Sequence, residues 1–180
     1  MTTLSLIIPC YNESKNLPLL LDRCAEIVKH KKDVEIIIVD NGSTDDTPVV
    51  LDDLALKYPF IIRTRVDNNQ GYGNGILAGL DVAKNDILAW THADMQADPS
   101  DILIGVKKFE CSSTPEELFV KGKRYGRPIM DVVFTVGMSI FETLFMKKLM
   151  WDINAQPTMF HRGFLKDWRN PPSDFSLDLY

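Results

Sequence analysis

The feature that most constrains the fold is an alternation, over residues 4–90, of short apolar runs with segments whose apolar residues repeat at helical spacing. The apolar runs, which predict buried strands, are 4–9, 34–39, 60–66 and 87–90. The segments between them, 17–28, 43–54 and 71–83, predict helices with one apolar face. Repetition of this kind predicts an α/β fold with a mostly parallel sheet flanked by helices. The 180 residues suffice for one domain with a real core.

The pattern changes after Pro99, where 101–109 predicts a helix, 118–120 a short strand and 129–151 a long helix. In the long helix the polar residues form one narrow stripe, made of Asp131, Thr135, Ser139, Glu142, Thr143 and Lys147. Two interpretations stay open. In the first, the helix belongs to the core or forms half of a homo-oligomer interface. In the second, it lies in a bilayer surface, with Lys147 and Lys148 near the headgroups. Asp131 and Glu142 argue against a spanning helix.

Composition narrows the function and the compartment. The net charge of −5 argues against nucleic-acid binding, which usually needs a basic excess. Cys10, Cys24 and Cys111 are far apart and lack zinc-ligand spacing, which indicates reduced thiols in a cytoplasmic protein. The first apolar run is too short for a signal peptide. The sequence contains no uninterrupted run of ~18 apolar residues, so no spanning helix is expected.

The sharpest polar motif follows the fourth predicted strand, at the sheet edge where parallel sheets bind ligands. His92, Asp94 and Gln96 alternate along a turn, so an imidazole, a carboxylate and an amide oxygen can point toward one divalent cation. Mg²⁺ takes one or two carboxylates together with phosphate oxygens, whereas an imidazole favours Mn²⁺. A plain polar loop is the alternative interpretation.

Other motifs follow the remaining predicted strands. Residues 40–43 can hydrogen-bond a base or ribose, although Ser43 with Asp46 also resembles a capping box that starts a helix. Tyr11 in the first exit turn can pack on a base. The glycine-rich segment 70–75 has neither dinucleotide-binding nor Walker A spacing, but its glycines allow a ligand to approach the backbone closely. The basic cluster 121–127 can hold phosphate groups or form a solvated loop.

Four segments in this order resemble family-2 glycosyltransferases: 5–13, 36–47, 69–79 and 92–96. The subgroup that they resemble is the dolichol-phosphate mannose synthase-like, or polyprenyl-phosphate, transferases, which 120–125, Asp152 and His161-Arg162 resemble more loosely. The resemblance implies a GT-A fold, a nucleoside-diphosphate sugar donor and Mg²⁺ or Mn²⁺. It also implies a polyprenyl-phosphate acceptor, and hence a peripheral position on the cytoplasmic membrane face through 129–151.

The resemblance also implies site residues. Nucleotide contacts are expected at Pro9, Tyr11, Glu13 and Asp40, and we extend them to Asn41, Ser43, Gly71, Asn74 and Ala93. Metal contacts are expected at Asp94 and Gln96, and at His92, which stands where the family usually has Asp. Arg124 matches an arginine that binds the diphosphate or the acceptor phosphate, and Asp178 falls near an acidic position that serves many members as general base. The expected reaction is a direct displacement with inversion.

The expected domain organisation is a donor-binding core over 1–127 and an acceptor-side region over 128–180, shorter than in the family. The segment 153–157 departs from the Ser-Gly-Phe that often follows the equivalent of Asp152, which predicts a different acceptor specificity. The alternative function, which His92 and the short C-terminal region favour, is a non-catalytic nucleotide-sugar-binding module. A sugar-nucleotidyltransferase would need a glycine-rich basic loop where 9–13 stands.

Overall fold

The computed structural model describes residues 2–126, 128–149 and 151–180. Strands and helices alternate in the order β1 (Leu4–Cys10), α1 (Leu17–His30), β2 (Val34–Asn41), α2 (Thr47–Lys57), β3 (Ile61–Val66), α3 (Tyr72–Val82), β4 (Ile87–Trp90), α4 (Ile102–Cys111), β5 (Phe119–Lys121), α5 (Ile129–Met146) and β6 (Thr158–His161). Single-turn 3₁₀ segments lie at Pro99–Asp101 and Pro115–Glu117, and longer ones at Arg162–Asp167 and Phe175–Leu179. The strands predicted from apolar runs are therefore present.

The strands form one six-stranded sheet in the order β3-β2-β1-β4-β6-β5. The pairs from β3 to β4 are parallel, whereas β6 runs antiparallel to both of its neighbours, β4 and β5. The predicted α/β architecture with a mostly parallel sheet is confirmed. The region after 128 contributes β6 to the middle of the sheet, and the domain boundary proposed at 127/128 falls on Arg127, which lies outside the described residues.

Both faces of the sheet are covered, because successive side chains of a strand point to opposite faces. On β1, Leu6 and Ile8 belong to the core beneath α1 and α4, whereas Ile7 belongs to the core beneath α3. All three side chains are fully buried, and each such side chain stabilises the fold by roughly 1.5–3 kcal/mol relative to exposure. The apolar runs are continuous because these strands are buried on both sides.

Two local predictions from the sequence are wrong. Helix α2 begins at Thr47, and Ser43 is not its cap, because the Ser43 hydroxyl accepts a hydrogen bond from the backbone N–H of Asn12 at 3.1 Å. The long helix predicted over 129–151 ends at Met146, where Lys147 takes a left-handed conformation with φ of 53°. Trp151 consequently lies outside the helix, and Met150 lies outside the described residues.

Helix α5 buries the centre of its polar stripe and exposes its apolar side chains, while Asp131 near its start is exposed. Its buried residues are Ser139 and Glu142, and burial raises the pKa of the Glu142 carboxyl. Phe134, Phe141 and Phe145 are 62–75% exposed. The interpretation of α5 as a core helix is therefore wrong. Among the described helices, α5 alone is long and apolar enough to cross a membrane, with a mean hydropathy of 1.7.

Candidate active site

A cleft of about 450 Å³ opens beyond the carboxyl ends of β1, β2 and β4. We call it the first cleft; its lining is Pro9, Cys10, Tyr11, Glu13, Asn41, Asn69, Gly71, Tyr72, His92, Ala93, Asp94 and Phe175. Most of the residues predicted to contact a nucleotide lie together here. Asp40, Ser43 and Asn74 are absent from this lining.

The turns after β1 and β2 hold each other in place. The Asn12 side-chain oxygen accepts hydrogen bonds from the backbone N–H groups of Thr44 (2.9 Å) and Asp45 (3.3 Å). The backbone N–H of Glu13 donates to the Thr47 hydroxyl at 2.8 Å. Asn12 tolerates the positive φ of 58° that this turn requires, because Asn is among the residues that visit the left-handed region most readily. The two turns therefore form a fixed wall of the first cleft.

Asp40 and Asn41 end β2 in different environments. Asp40 is 2% exposed, and its Oδ1 accepts a hydrogen bond from the backbone N–H of Ser43 at 2.9 Å. Its Oδ2 lies 3.3 Å from Arg65 Nη1, a distance that gives an ion pair, although the geometry does not make a hydrogen bond. Asn41 donates from Nδ2 to the carbonyl of Gly71 at 2.9 Å, while its buried Oδ1 makes no hydrogen bond to a described residue. Asn41 thus keeps an unused acceptor at the first cleft.

The glycine-rich segment has a different partner from the one that we expected. A Cβ on Gly71 would lie 2.6 Å from the Ser173 carbonyl oxygen, and one on Gly73 would lie 2.7–2.8 Å from backbone oxygens of Asp174 and Pro172. The backbone N–H of Asn74 donates to the Ser173 carbonyl at 2.8 Å. The glycines therefore admit another part of the chain, and only Gly71 also lines the first cleft.

The motif after β4 sits on the wall of the first cleft. The His92 ring stacks on Tyr72 with centroids 5.1 Å apart, and Tyr72 stacks on Phe175 at 5.0 Å. Burial, reinforced by the carboxylates of Asp178 and Asp94, raises the pKa of the Tyr72 hydroxyl. Oδ1 of Asp94 accepts a hydrogen bond from the backbone N–H of Gln96 at 3.0 Å. Within the described ranges, no three His, Cys, Asp or Glu side chains form a group that could hold a metal ion.

A larger cleft of about 690 Å³ adjoins the first one. This second cleft is lined by His92, Asp94, Gln96, Ala97, Asp98, Asp101, Lys123, Arg124, Tyr125, Asp131, Asn154, Gln156, Phe175 and Asp178. His92, Asp94 and Phe175 belong to both linings, so they form the boundary between the two clefts. The predicted candidates Asp94, Gln96, Arg124 and Asp178 all meet in the second cleft.

Arg124 and Asp178 each carry a salt bridge. The Arg124 Nε donates to both carboxylate oxygens of Asp152, at 2.9 and 3.1 Å, and its Nη2 contacts the same carboxylate. The backbone N–H of Asp152 in turn donates to the Ser139 hydroxyl of α5 at 3.1 Å. Asp178 pairs with Lys121 at 3.1 Å. Burial lowers the pKa of the Lys121 ammonium, and the Asp178 carboxylate opposes that shift.

Sequence reasoning did not single out four residues of this region as site residues: Tyr72, Lys121, Gln156 and Phe175. Lys121 belongs to the basic cluster and Tyr72 to the glycine-rich segment, and both segments were candidates for contact with a ligand. Gln156 and Phe175 lie in segments without periodicity, and only the tertiary fold brings them to β4. Asp152 stood out only through the family resemblance.

Comparison with known proteins supports the family assignment directly. The model of Glycosyl transferase family 2 matches residues 5–164. Undecaprenyl-phosphate 4-deoxy-4-formamido-L-arabinose transferases are similar to this chain over about half of its length. The one from Proteus mirabilis is 34% identical over 100 residues, covering 54% of this chain and 31% of the relative. The one from Pseudomonas savastanoi is 37% identical over 101 residues, covering 54% and 30%. The matched segment is thus under a third of each relative.

Solved structures share the fold at low sequence identity. A mannosyltransferase from Pyrobaculum calidifontis, in complex with GDP-Man and Mn²⁺, has a TM-score of 0.72 at 21% identity and covers 97% of this chain and 49% of its own. Glucosyl-3-phosphoglycerate synthase from Mycobacterium tuberculosis, in complex with Mn²⁺, UDP and phosphoglyceric acid, has a TM-score of 0.74 at 18% identity, with 99% and 62% covered. The architecture is GT-A, and the chain belongs to glycosyltransferase family 2.

Proposed function

We propose that the chain transfers a sugar from a nucleoside-diphosphate sugar to a polyprenyl phosphate. The observation that carries this proposal is the pair of adjoining clefts with a common boundary at His92, Asp94 and Phe175. A transferase needs a donor and an acceptor to meet at one carbon atom, and two clefts with a shared wall provide that meeting point. The names of the relatives, which are undecaprenyl-phosphate transferases, support the choice of acceptor.

The first cleft is the proposed donor site. Tyr11 is 45% exposed there, so its ring is free to pack on a base, with Pro9 beside it. Asn41 lines the same cleft, and its buried amide oxygen, which has no described partner, would accept from a donor hydroxyl or N–H once the side chain turns toward the cleft. Asp40 contributes indirectly, because its carboxylate fixes the Ser43 backbone. Its second oxygen pairs with Arg65, so a base would contact that oxygen only by displacing Arg65. On this assignment the donor-binding core lies mainly within residues 1–127, and the acceptor side combines residues 128–180 with Lys123 and Arg124.

The side chains at the boundary fit a divalent cation held mainly by the diphosphate. Asp94 supplies a carboxylate, and exposed Gln96 lies two residues further on. One carboxylate together with phosphate oxygens and water satisfies the preferences of Mg²⁺, and the Mn²⁺ in the similar structures favours the same chemistry. When bound, the cation would offset the charge on the departing diphosphate. His92, whose ring stacks on Tyr72, is the third candidate ligand at this boundary.

Arg124 and Lys123 are the proposed cationic groups of the second cleft. Both line it, and the fork of the Arg124 guanidinium suits a phosphate group as well as the Asp152 carboxylate that it now holds. A phosphate acceptor is already ionised near pH 7, so its oxygen can attack the anomeric carbon without a general base. Inversion follows from a single displacement in which the diphosphate leaves opposite to the attacking oxygen.

The apolar face of α5 is the proposed contact with the membrane. Ser139 and Glu142 of its polar stripe are buried against the protein, and its phenylalanines are exposed, so a bilayer surface would bury the apolar side chains that the fold leaves exposed. This arrangement brings the second cleft close to a lipid-borne phosphate, because Ser139 of α5 holds Asp152, which holds Arg124. The proposed location is the cytoplasmic membrane face, and a homo-oligomer through the same face is the alternative.

Donor binding provides the first test. Asp94→Ala should abolish the Mn²⁺-dependent part of the affinity for GDP-mannose or UDP-glucose in isothermal titration calorimetry, because it removes the carboxylate from the boundary. Asp81→Ala, at an exposed position of α3, is the matched control and should bind like the wild type. An Asp94→Ala variant whose affinity keeps its full Mn²⁺ dependence would overturn the metal assignment.

Turnover separates transfer from binding alone. Wild-type protein incubated with a donor that binds, Mn²⁺ and a polyprenyl phosphate should release nucleoside diphosphate and form a glycosylated lipid. Binding of the donor without either product, across a panel of donors, would instead support the non-catalytic nucleotide-sugar-binding module.

A further inference from the structure

One carboxylate oxygen at the floor of the second cleft collects donors from separate strands. Oδ1 of Asp178 accepts hydrogen bonds from Lys121 Nζ on β5 (3.1 Å) and Trp90 Nε1 on β4 (3.3 Å). The Thr158 hydroxyl on β6 (3.4 Å) and Gln156 Nε2 (3.5 Å) reach the same atom. The Asp178 side chain is 3% exposed. A general base must come within hydrogen-bonding reach of the acceptor, so this packing suits a fastening role better than proton abstraction.

Asp178 ends a segment that lies across α3. We call residues 172–178 the cover segment. Its Ser173 carbonyl accepts the hydrogen bond from the Asn74 N–H, and it fits against Gly71 and Gly73, where a side chain would collide. Leu177 is 2% exposed and belongs to the core beneath α3. The cover segment is therefore fixed at three points: its start at Ser173, its buried Leu177 and its end at Asp178.

Between these fixed points the cover segment places an exposed aromatic ring at the cleft boundary. Phe175 is 70% exposed, although its ring is nearly parallel to that of Tyr72, with an interplanar angle of 13°. Tyr72 also stacks on His92, and Gln156 Nε2 contacts the Tyr72 hydroxyl at 3.3 Å. Gln156 thus links the ring stack to the Asp178 carboxylate. An apolar ring at this place adds water-repelling surface where the two proposed substrates meet.

We infer that Asp178 is a positioning residue that fixes Phe175 at the boundary of the two clefts, and that Phe175 keeps water from the donor sugar during transfer. This inference rests on the proposed function and adds a role that the reaction requires. Closing an active site against water prevents hydrolysis of a reactive substrate.

Two reactions compete for the same donor. In transfer, an acceptor phosphate oxygen forms a bond to the anomeric carbon, the bond from that carbon to the diphosphate oxygen breaks, and nucleoside diphosphate leaves. In hydrolysis, a water oxygen forms the bond instead, and free sugar, nucleoside diphosphate and one proton result. The ratio of free sugar to glycosylated lipid measures how well water is excluded, and it does not depend on the amount of active enzyme.

The first experiment follows the cover segment without any ligand. Amide hydrogen exchange over 173–177 should be faster in Asp178→Ala than in wild type, and Asp178→Asn should restore most of the protection, because its amide oxygen still accepts from Trp90 and Lys121. A Lys121→Met/Asp178→Asn variant removes the buried ammonium that Asp178→Asn leaves without a counter-charge, so it serves if Asp178→Asn unfolds. Equal protection in Asp178→Ala and wild type would overturn the anchoring role.

The second experiment measures the product ratio with a polyprenyl phosphate and a donor that binds. Phe175→Ala and Asp178→Ala should each raise hydrolysis relative to transfer by about tenfold, and the double variant should be no worse than either, because the two residues act as one unit. Leu56→Ala, at an exposed position of α2, should keep the wild-type ratio. Asp178→Asn should regain most of the ratio lost in Asp178→Ala, with the wild-type pH profile.

The possible results separate the two proposals. A loss of roughly a hundredfold or more in turnover for Asp178→Asn, at an unchanged product ratio, would identify a general base and overturn the inference. Additive effects of the Phe175 and Asp178 variants would overturn it as well. Wild-type protein that binds no donor would contradict the proposed function, whereas the hydrogen-exchange result would still decide whether Asp178 anchors the cover segment.

Discussion

At the scale of single residues, glycines decide how closely the C-terminal part of the chain approaches α3. Gly71 has a φ of 110°, which residues with a Cβ rarely adopt. Gly73 has an ordinary helical conformation, and only steric collision excludes a side chain there. The sequence indicated that some group approaches the backbone closely at these positions, but it did not identify that group. A glycine indicates only that there is no room for a side chain. The partner, Ser173, is a hundred positions away in the chain and carries no pattern of its own.

Gly73→Ala should destabilise the fold by about 1–3 kcal/mol, because the added methyl group meets backbone oxygens that cannot rotate away. Gly137→Ala, in the exposed middle of α5 with no atom within 4 Å, is the matched control. It should be neutral or stabilise by up to about 1 kcal/mol, because alanine favours helix. Urea unfolding of both variants measures the difference, and equal midpoints would show that the cover segment does not press on Gly73.

At the scale of elements, α5 shows what a periodic pattern leaves undecided. The spacing of Asp131, Thr135, Ser139 and Glu142 correctly predicted a helix with one polar stripe. It did not determine which side meets the protein, because either side satisfies the same periodicity. The structure turns the centre of the stripe inward, where Ser139 supports Asp152, and leaves an apolar face that a soluble monomer rarely keeps exposed.

Replacing Phe141 and Phe145 together by serine should abolish co-sedimentation with anionic phospholipid vesicles, because it removes two stacked, exposed rings from the proposed membrane face. Leu56→Ser, on α2, should sediment like the wild type. The alternative result is that the wild type does not sediment with vesicles but forms a dimer in analytical ultracentrifugation, and that the double variant loses this dimer. That result would assign the face to a second copy of the chain.

At the scale of the whole molecule, the fold followed from the alternation of strand and helix patterns, and the position of the first cleft followed from the rule for parallel sheets. The turns at Tyr11, Asn41 and Asp94 meet because β2, β1 and β4 are neighbours in the sheet. The second half of the site was not predictable in this way. Gln156 comes from an irregular segment and Asp178 from a short 3₁₀ segment, and only long-range packing places them beside Trp90.

The reactivity of the three cysteine thiols tests this packing. Cys111 is exposed, while Cys10 and Cys24 are buried, and burial raises the pKa of the Cys24 thiol to about 12 and that of Cys10 further. Native protein should therefore react with Ellman's reagent at one thiol in a fast phase, and the other two should appear only on unfolding, because the thiolate is the reactive form. Cys111→Ser should lose the fast phase, and a second fast thiol would contradict the buried assignment.

The insertion of β6 between β4 and β5 also bears on biosynthesis. Every residue of β4 is buried, yet one of its two pairing edges is completed by β6, which emerges from the ribosome much later than β4 itself. A nascent chain that has made only the first four strands therefore presents an unpaired apolar edge, the kind of surface that recruits other strands. Ribosome-bound intermediates of this length are consequently the species most in need of a chaperone, and slow formation of the distant β4–β6 pairing is expected to limit the rate of folding.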